Sequence, residues 1–400
     1  MLVVKKFGGT SVGNPERIKN VAQKCAQAYH EGKDLVVVLS AMGQVTDELI
    51  ALANHINPNA PKREMDALLT TGEQTSVALM AMALDSLNVP AVSLNAFQVP
   101  MLTTMDYGNA RLKKIDSGRI LREIESRKIV LVTGFQGVNK LEDITTLGRG
   151  GSDTTAVALA AALHADACEI YTDVDGVYTA DPRIVPGAKK LSEISYDEML
   201  ELASIGAQVL HNRSVELAKK YGVTLVVKSS LTEGTGTLVR EETGMENMMV
   251  SGVAADQNTA KIVVTGVKDE PGSAFRLFDL LSNNSINVDA ILQTGGEKGK
   301  QEIALIVARD FSKKAVALIE ENKAKLKIEG VSSDETVAKI SVVGAGIQSN
   351  PGVAAKMFEA LYSAGINIEM IATSEIRITV IVNEADMEKA VRTVHDALVD

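Results

Sequence analysis

Features common in secreted, metal-binding or redox proteins are scarce in this sequence. Its 400 residues include two cysteines, five histidines and no tryptophan. Cys25 and Cys168 lie among apolar neighbours, so we expect buried free thiols in a reducing compartment and no disulfide framework. The histidines are scattered without the spacing of metal ligands, so we predict no metal site built from histidine and cysteine.

Basic clusters and long apolar runs are also missing. The formal net charge is −10, which argues against a nucleic-acid partner but allows ATP, because a local basic patch is enough to bind ATP. No apolar run is long enough to span a bilayer, and the N-terminus lacks the small-residue cleavage site of a signal peptide. We therefore expect a cytoplasmic protein with no membrane partner.

Before about residue 245, apolar strand-like runs alternate with helical stretches. The predicted strands are 35–39, 91–94, 129–133, 169–172 and 224–227, and the predicted helices include 73–87, 154–163 and 208–221. Strands rich in Val, Ile and Leu that alternate with helices indicate an α/β domain with a largely parallel sheet. We place this domain at 1–244 and expect its site at the carboxyl ends of the strands.

The rest of the chain contains an internal repeat. At a constant offset of 80, Phe278, Leu281, Ile286, Asn287 and Ile291 recur as Phe358, Leu361, Ile366, Asn367 and Ile371. Each unit has the pattern of a strand, a Pro-Gly turn, an amphipathic helix, two more strands and a second helix. Two such units predict duplicated α+β domains of the βαββαβ type, which we place at 250–335 and 336–400.

The first chemical motif runs from Lys6 to Ser11, between a short strand and a helix that Asn14 is expected to cap. Adjacent Gly8 and Gly9 let backbone amides approach an anion, and the helix start adds positive potential. Lys6 supplies the positive charge that a transferring phosphoryl group needs. A plain βα turn has the same pattern, so this motif does not decide the function by itself.

A second motif, 148–155, opens a helix of small residues. Arg149 offers a bidentate grip for a carboxylate, and Ser152 adds a further donor. Asp153 either holds Lys6 in place or takes the amino group of a zwitterionic ligand. Ser-Asp is also a routine helix cap, and capping is compatible with ligand binding.

Two further loops follow predicted strands. In the loop 171–183, Asp173 suits a ribose or base, and Tyr178 with Arg183 suits phosphates. The spacing of the acids in this loop does not match a Ca²⁺ site. The loop 40–46, taken alone, is most simply another capped connection between a strand and a helix.

Taken together and in order, the motifs 6–11, 149–153 and 172–183 resemble the signatures of aspartate kinase. That family has the amino acid kinase fold and carries two ACT domains at the C-terminus. The resemblance covers essentially the whole chain, whereas kinases for acetylglutamate, glutamate or UMP lack this combination. It implies an N-terminal three-layer α/β amino acid kinase fold with a mostly parallel sheet, followed by two α+β ACT domains.

The resemblance also implies an activity, which is phosphorylation of the β-carboxylate of L-aspartate by ATP with Mg²⁺, a first step towards lysine, threonine and methionine. A carboxylate is already nucleophilic at neutral pH, so the difficulty lies in bringing two anions together. The implied catalytic residues are Lys6 and Asp153. Those implied for aspartate are Ser40, Thr46, Glu73, Phe135, Gly137, Arg149 and Ser152. Those implied for ATP are Lys6, Gly8, Gly9, Ser11, Thr172, Asp173, Tyr178, Arg183 and Gln208.

One position departs from the family pattern. The segment 206–211 has Gln208 where many relatives have a lysine that reaches ATP. Glutamine donates a hydrogen bond but carries no charge. Whether Lys228 compensates is left open, and we expect His211 to be packed or hydrogen-bonded rather than catalytic.

The ACT-like repeat implies regulation by an amino acid bound at a turn and helix start, usually at a pairing interface. In the first unit the implied residues are Asp269, Gly272, Ser273, Ala274, Asn287, Asp289 and Gln293. In the second they are Asn350, Gly352, Val353, Asn367, Glu369, Ser374 and Glu375. For the glycines, shaping a turn is a partial alternative. The family suggests lysine, threonine or both as inhibitors that disfavour the active kinase domain.

The resemblance leaves the assembly open between a homodimer, a homotetramer and an α2β2 complex. Met245, Met248 and Met249 precede the repeat, and some family members start a separate C-terminal subunit internally. Ordinary linker methionines are at least as good an explanation from the sequence alone. Two other functions also remain, a non-catalytic amino-acid sensor and a kinase for another amino-acid carboxylate, although the intact kinase motifs argue against the sensor.

Overall fold

The computed structural model describes residues 1–206, 209–241, 249–295 and 299–399, which form two compact units. The first comprises Met1–Val177, Lys190–Ala203 and the described residues from 209 to 241. The second comprises Tyr178–Lys189, the described residues from 204 to 206, and those from 249 onward.

The strands of the first unit are, in chain order, β1 (Leu2–Phe7), β2 (Asp34–Leu39), β3 (Ala91–Leu94), β4 (Met101–Thr103), β5 (Leu112–Ile115), β6 (Ile129–Thr133), β7 (Gln136–Val138), β8 (Ile144–Thr146), β9 (Ala167–Thr172), β10 (Glu193–Ser195), β11 (Leu225–Ser229) and β12 (Thr237–Arg240). Its helices are α1 (Pro15–His30), α2 (Val45–Ile56), α3 (Lys62–Asp85), α4 (Gly118–Glu125), α5 (Gly151–Ala162), α6 (Tyr196–Ser204) and α7 (Asn212–Tyr221).

An eight-stranded sheet organises this unit, with the order β10-β12-β11-β9-β1-β2-β6-β3. Its neighbouring strands are parallel except for β11 and β12, which confirms the predicted, largely parallel sheet. Because β1 lies between β2 and β9, the loops that follow these three strands leave the same edge of the sheet.

The two faces of the sheet have different environments. On β1, Val3 and Phe7 belong to the apolar core formed with α1 and α3. Lys6 lies on the opposite face, because successive side chains of a strand alternate, and it reaches α5. The small side chains of α5 allow it to pack closely on the sheet, and its first ten residues are all buried.

The start of α1 follows the predicted capping pattern. The Asn14 side chain accepts a hydrogen bond from the Arg17 amide at 2.9 Å, and Pro15 occupies the first helical position. This cap orients the helix immediately after the glycine turn that follows β1.

A second, four-stranded sheet of the order β5-β4-β7-β8 belongs to the same unit. The sequence interpretation did not include this sheet, because its strands of three or four residues are too short for an alternation of side chains to be recognised. The sheet leads directly into the glycine-rich turn before α5.

The strands of the second unit are β13 (Gly252–Asp256), β14 (Ala260–Lys268), β15 (Ala290–Gly295), β16 (Lys300–Val307), β17 (Gly330–Asp334), β18 (Val337–Val343), β19 (Met370–Thr373) and β20 (Arg377–Asn383). Its helices are α8 (Ser273–Asn283), α9 (Arg309–Glu321), α10 (Lys323–Leu326), α11 (Gly352–Ser363) and α12 (Met387–Leu398). No helix in the described ranges of the chain is long and apolar enough to cross a membrane.

Two four-stranded sheets make up this unit, with the orders β15-β16-β14-β17 and β13-β18-β20-β19. The first sheet, with α8 and α9, has the predicted βαββαβ order. The second takes its edge strand β13 from the chain that precedes the first domain, because Gly252 pairs with Val343 in an antiparallel ladder. The predicted boundaries of 250–335 and 336–400 are therefore corrected, since β13 belongs to the second ACT sheet.

The segment Tyr178–Lys189 also belongs to the second unit, although it lies inside the predicted range 1–244. The Thr179 hydroxyl is 2.9 Å from His395 Nε2, and the Val253 amide donates to the Thr179 carbonyl at 2.7 Å. Ala180 and Val185 are buried in the same apolar core as β18 and α12. The division of the chain is thus not a single break near residue 245.

Candidate active site

A buried ion pair lies at the carboxyl end of the central strand. Lys6 Nζ on β1 is 2.7 Å from Asp153 Oδ1 in the first turn of α5, and the two side chains are only 11% and 12% exposed. The structure therefore brings together the two residues implied as catalytic. Of the two roles considered for Asp153, holding Lys6 corresponds to this contact.

The glycine turn after β1 is a cradle that a side chain would fill. A Cβ at Gly9 would lie 2.7 Å from the Ala41 carbonyl oxygen, and a Cβ at Gly8 would lie 3.4 Å from Lys6 Nζ. The Ser11 hydroxyl is buried here and has no hydrogen-bond partner among the described residues. A turn without side chains, beside a lysine and an unpaired hydroxyl, fits a phosphate group.

The loop after β2 meets this turn and a buried glutamate from α3. The Gly43 amide donates to the Gly9 carbonyl at 3.0 Å, and the Ala41 amide donates to Glu73 Oε1 at 3.1 Å. Glu73 Oε2 is buried without a partner among the described residues. Burial raises the pKa of Glu73 to about 7. Ser40 and Thr46 flank the same loop, so three residues implied for aspartate lie on adjoining elements.

Close packing fixes the segment after β6 against α5. A Cβ at Gly134 would lie 2.5 Å from Ser152 Oγ, and the Phe135 amide donates to Thr155 Oγ1 at 3.1 Å. Phe135 has a positive φ of 68°, a conformation that its hydrogen bond helps to hold. Phe135 therefore lies beside the start of α5, and Ser152 lies in the first turn of that helix.

Gly137 has a different environment from its predicted partners. It lies on β7 of the small sheet, where a Cβ would come within 2.2 Å of Thr103 Cγ2 and 3.3 Å of Thr145 Oγ1. Its need for glycine is explained by this packing inside the small sheet.

Arg149 is exposed and makes no hydrogen bond or ion pair with any other described residue. It stands between Gly148 and Gly150, whose φ angles are 78° and 70°. A Cβ at Gly150 would lie 2.2 Å from Cγ of His211, which places the imidazole against this turn. Burial lowers the pKa of His211. These contacts agree with a packed imidazole and leave the Arg149 guanidinium open to a carboxylate.

The predicted nucleotide loop is divided between the two units. Thr172 accepts hydrogen bonds on its carbonyl from the Ser230 amide at 2.9 Å and the Ser230 hydroxyl at 3.1 Å, and Asp173 is exposed. Tyr178 and Arg183 belong to the second unit, where Arg183 forms an ion pair with Asp181 at 2.6 Å. The structure thus does not group them with Lys6 in one unit. Gln208 lies outside the described residues.

Lys228, considered as a compensating cation, is engaged elsewhere. Its Nζ is 2.9 Å from Glu169 Oε1, and Lys5 Nζ is 3.4 Å from the other oxygen of that carboxylate. Lys5 precedes Lys6 on β1, so this cluster lies on the opposite face of the sheet from the Lys6–Asp153 pair.

The residues predicted to bind an effector in the first ACT domain are partly assembled. Gln301 on β16 joins two of them through its side chain. Its Nε2 donates to Asp269 Oδ1 at 2.5 Å, and its Oε1 accepts a hydrogen bond from Gln293 Nε2. Gly272 has a φ of 91° and precedes α8, where the Ser273 hydroxyl donates to the Lys268 carbonyl at 2.7 Å. Ala274 lies half-buried in the same helical turn.

Asp289 and Glu369 are held in equivalent ion pairs. Lys339 on β18 is 2.8 Å from Asp289, and Lys261 on β14 contacts Glu369. Because Lys261 and Lys339 occupy matching positions of the repeat, the two pairs are reciprocal and link one ACT domain to the other. The two lysines were not among the predicted residues. They form ion pairs with carboxylates that were expected to bind an effector.

The remaining predicted effector residues are spread over turns. The Asn350 side chain donates to the Gly346 carbonyl at 2.8 Å, and α11 begins at Gly352 with Val353 buried beneath it. Asn287 is 3.5 Å from Asp289. Asn367, Ser374 and Glu375 of the second domain are exposed, and so are Gly352 and Glu369.

Two residues of the first unit were missed by sequence reasoning. Asp66, buried in α3, accepts hydrogen bonds from the Gly108 amide and from the amide and hydroxyl of Thr146 at 2.8 to 2.9 Å. Arg213 lies in the first turn of α7. Each has a signal in the sequence, since a carboxylate on an apolar helix face needs donors and a cation is disfavoured at a helix N-terminus. No cluster of three or more His, Cys, Asp or Glu in the described ranges is arranged to hold a metal ion.

Comparison with known proteins gives consistent matches. A model of the amino acid kinase family matches residues 1–229, and a model of the ACT domain matches residues 340–398. The chain is 49% identical over 397 residues to the aspartokinase of Bacillus sp. (strain MGA3), covering 99% of this chain and 97% of that relative. It is similar to E. coli aspartokinase III in complex with aspartate and ADP (R-state), with a TM-score of 0.83, 27% identity and 100% coverage of both chains. The complex of that enzyme with lysine and aspartate (T-state) gives a TM-score of 0.79 at 27% identity, also over 100% of both chains.

Proposed function

The chain belongs to the amino acid kinase family, among the aspartokinases, and from this premise we propose that it phosphorylates the β-carboxylate of L-aspartate with ATP. The observation that carries the proposal is the buried pair of Lys6 and Asp153, 2.7 Å apart beside a side-chain-free turn with the unpartnered Ser11 hydroxyl. A buried cation next to a phosphate cradle is what transfer between two anions requires.

The proposed step balances without a proton transfer. A carboxylate oxygen of aspartate attacks the γ-phosphorus of ATP, the bond from that phosphorus to the β,γ-bridging oxygen breaks, and ADP leaves with the electron pair. The product is an aspartyl phosphate. Because the nucleophile is already ionised, the protein's task is to position the two reactants and to stabilise negative charge. Mg²⁺ would enter with the ATP phosphates and neutralise part of their charge.

In this proposal Lys6 contacts the transferring phosphoryl group, and Asp153 fixes the position of its ammonium. Gly8, Gly9 and Ser11 surround the phosphates with amides and a hydroxyl. The N-terminal turn of α5 adds the positive end of a buried helix at the same place. Within this unit, Thr172 and Asp173 are the proposed contacts to the nucleoside.

The aspartate subsite is proposed between Arg149 and Glu73. The open guanidinium of Arg149 would take a carboxylate of the substrate in a bidentate manner. The free Oε2 of Glu73 would take the α-ammonium group, which would compensate the cost of ionising this buried carboxyl. Ser40, Thr46 and Ser152 add hydroxyl groups around these two anchors.

We also propose that this phosphorylation is the first step towards lysine, threonine and methionine. Lysine, threonine or both would inhibit the enzyme through its ACT domains. The complex of E. coli aspartokinase III with lysine and aspartate supports an amino-acid effector for this family. The Asp269–Gln301–Gln293 group beside the start of α8 is the proposed effector site. The proposed assembly is a homo-oligomer, either a dimer or a tetramer, or an α2β2 complex.

The test measures ADP release and hydroxamate formation by the full chain with MgATP and hydroxylamine. L-Aspartate is compared with L-glutamate and with succinate, which lacks the ammonium group that Glu73 would hold. We expect aspartyl hydroxamate in proportion to ADP, and a lower rate with lysine or threonine. Succinate should give at least tenfold less product, since one missing contact to a charged group costs about 1.5–3 kcal/mol. L-Glutamate should also give less product, because its extra methylene moves the side-chain carboxylate away from the position of attack. ADP release that does not depend on aspartate would contradict the proposal.

A further inference from the structure

Arg213 uses its guanidinium to join two backbone segments of the first unit. Its Nη1 donates to the Leu147 carbonyl at 2.6 Å, and its Nη2 donates to the Ala110 carbonyl at 3.0 Å. Nη1 is also 3.3 Å from Asn109 Oδ1. One planar group therefore holds the turn around Ala110 and the end of the strand β8 at a fixed separation.

Leu147, which Arg213 holds, is the first residue of the turn that carries Arg149. The Leu147 amide donates to the Phe135 carbonyl at 2.8 Å, so Leu147 is tied on both sides, by Phe135 and by Arg213. Gly148 and Gly150 then follow with left-handed φ angles. Glycine at such positions has little conformational preference of its own, so the direction of Arg149 depends on how the ends of the turn are held.

Helix α7 contacts this turn at its other end as well. The His211 ring lies against Gly150, and the Ser214 hydroxyl donates to the His211 carbonyl at 2.6 Å, which fixes the start of α7. The turn Leu147–Gly150 is thus held at its first residue by Arg213 and at its last by His211.

Electrostatics do not explain why an arginine is present at this place. It stands in the first turn of α7, where a cation faces the positive end of the helix. Its acceptors among the described residues are two carbonyls and an amide oxygen, which are neutral. Burial lowers the pKa of Arg213. What the guanidinium provides is a rigid fork with two donors, and lysine cannot reproduce that geometry.

We propose that Arg213 is a positioning residue for the aspartate subsite, holding the Leu147–Gly150 turn so that Arg149 meets the substrate carboxylate. The inference rests on the proposed function, because Arg149 is the proposed aspartate ligand. It assigns substrate affinity to a side chain that itself does not contact the substrate.

The first test compares Arg213→Lys with Arg122→Lys, which makes the same change at an exposed position on α4. We expect Arg213→Lys to raise the KM for aspartate about tenfold or more while the KM for MgATP changes less than about twofold, because one of two charge-assisted hydrogen bonds is lost. Arg122→Lys should match the unchanged enzyme. Equal increases in both KM values, or an unchanged KM for aspartate, would overturn the inference.

Two further readouts separate positioning from a general loss of structure. Guanidinium ion added to Arg213→Ala should lower the KM for aspartate again, whereas an equal concentration of sodium chloride should not. Hydrogen exchange of the amides from Gly148 to Ser152 should be faster in Arg213→Lys than in Arg122→Lys. Unchanged exchange would overturn the inference even if the KM changed.

The exchange experiment also separates this inference from the proposed function. If the unchanged enzyme does not phosphorylate aspartate, the proposed function fails. Faster exchange of the turn in Arg213→Lys would still support the positioning role, and unchanged exchange would reject it.

Discussion

Ionisation of Glu73 should lower the stability of the first unit at neutral and alkaline pH. The carboxyl group is 4% exposed, accepts one hydrogen bond from the Ala41 amide, and has a second oxygen without a partner among the described residues. Burial raises its pKa from 4.5 to about 7. Between these values the native protein holds a proton that the unfolded chain has released, so stability falls as the pH rises through this interval.

The magnitude follows from the size of this difference. Since each pH unit corresponds to about 1.4 kcal/mol, the ionised carboxylate costs the native state about 3 kcal/mol above pH 7 and almost nothing below pH 4.5. Glu73→Gln keeps an oxygen for the Ala41 amide but cannot ionise. We therefore expect the variant to lose less stability than the unchanged protein between pH 4 and pH 8, by roughly 6 to 12 °C in Tm for a unit of this size.

The assay is thermal unfolding followed by circular dichroism at several pH values for both proteins. Glu125→Gln, at an exposed position at the end of α4, is the matched control and should follow the unchanged protein. Saturating aspartate should reduce the difference at pH 8, because its ammonium group would compensate the ionised Glu73. Identical pH dependence of Tm in Glu73→Gln and the unchanged protein would refute this reasoning.

Three other substitutions test different parts of the molecule. Lys6→Met should lower kcat by about 10²- to 10³-fold in the ADP-release assay, because the cation beside the phosphoryl group is lost. It should also lower Tm, because it leaves the buried Asp153 carboxylate unpaired. Adding Asp153→Asn should restore Tm but not kcat, and recovery of both would contradict the catalytic role. Gly150→Ala should lower the free energy of unfolding by about 2 kcal/mol or more, because its Cβ would meet His211. The control Gly222→Ala has a similar positive φ but open space around it, and should lower that free energy by about 1 kcal/mol. Equal losses in urea unfolding would show that the contact with His211 is unimportant. Lys339→Met should destabilise the second unit by about 1–3 kcal/mol in calorimetry, because Asp289 loses its partner, and it should leave kcat unchanged. An unchanged Tm would mean that the ion pair contributes nothing to stability.

Much of the fold could be predicted from local patterns. Buried parallel strands such as β2 and β6 are continuous apolar runs, and the constant offset of the repeat fixed the number and type of the C-terminal domains. The small sheet β5-β4-β7-β8 could not be predicted, because strands this short carry too little periodicity. The position of β13 in the second ACT sheet depends on its pairing with β18, which is distant in sequence, and no local pattern indicates such pairing.

The candidate site was predictable to a similar extent. Glycine turns and polar residues at the ends of strands identified Lys6, Asp153 and Arg149, because their chemistry is local to each motif. The supporting contacts of Asp66 and Arg213 arise only when helices pack on distant turns. The ion pairs of Asp289 and Glu369 were missed for the same reason, since their lysines lie on strands of the neighbouring domain.

The central claim is direct attack of the aspartate β-carboxylate on the γ-phosphorus, and an isotope measurement tests it most directly. L-Aspartate labelled with ¹⁸O in its β-carboxylate is incubated with the enzyme, MgATP and hydroxylamine, and the released phosphate is analysed by ³¹P NMR. Hydroxylamine attacks the acyl carbon of aspartyl phosphate, so the phosphate should carry one ¹⁸O atom from the substrate. Phosphate that appears without ¹⁸O, or only with oxygen from the solvent, would contradict the account.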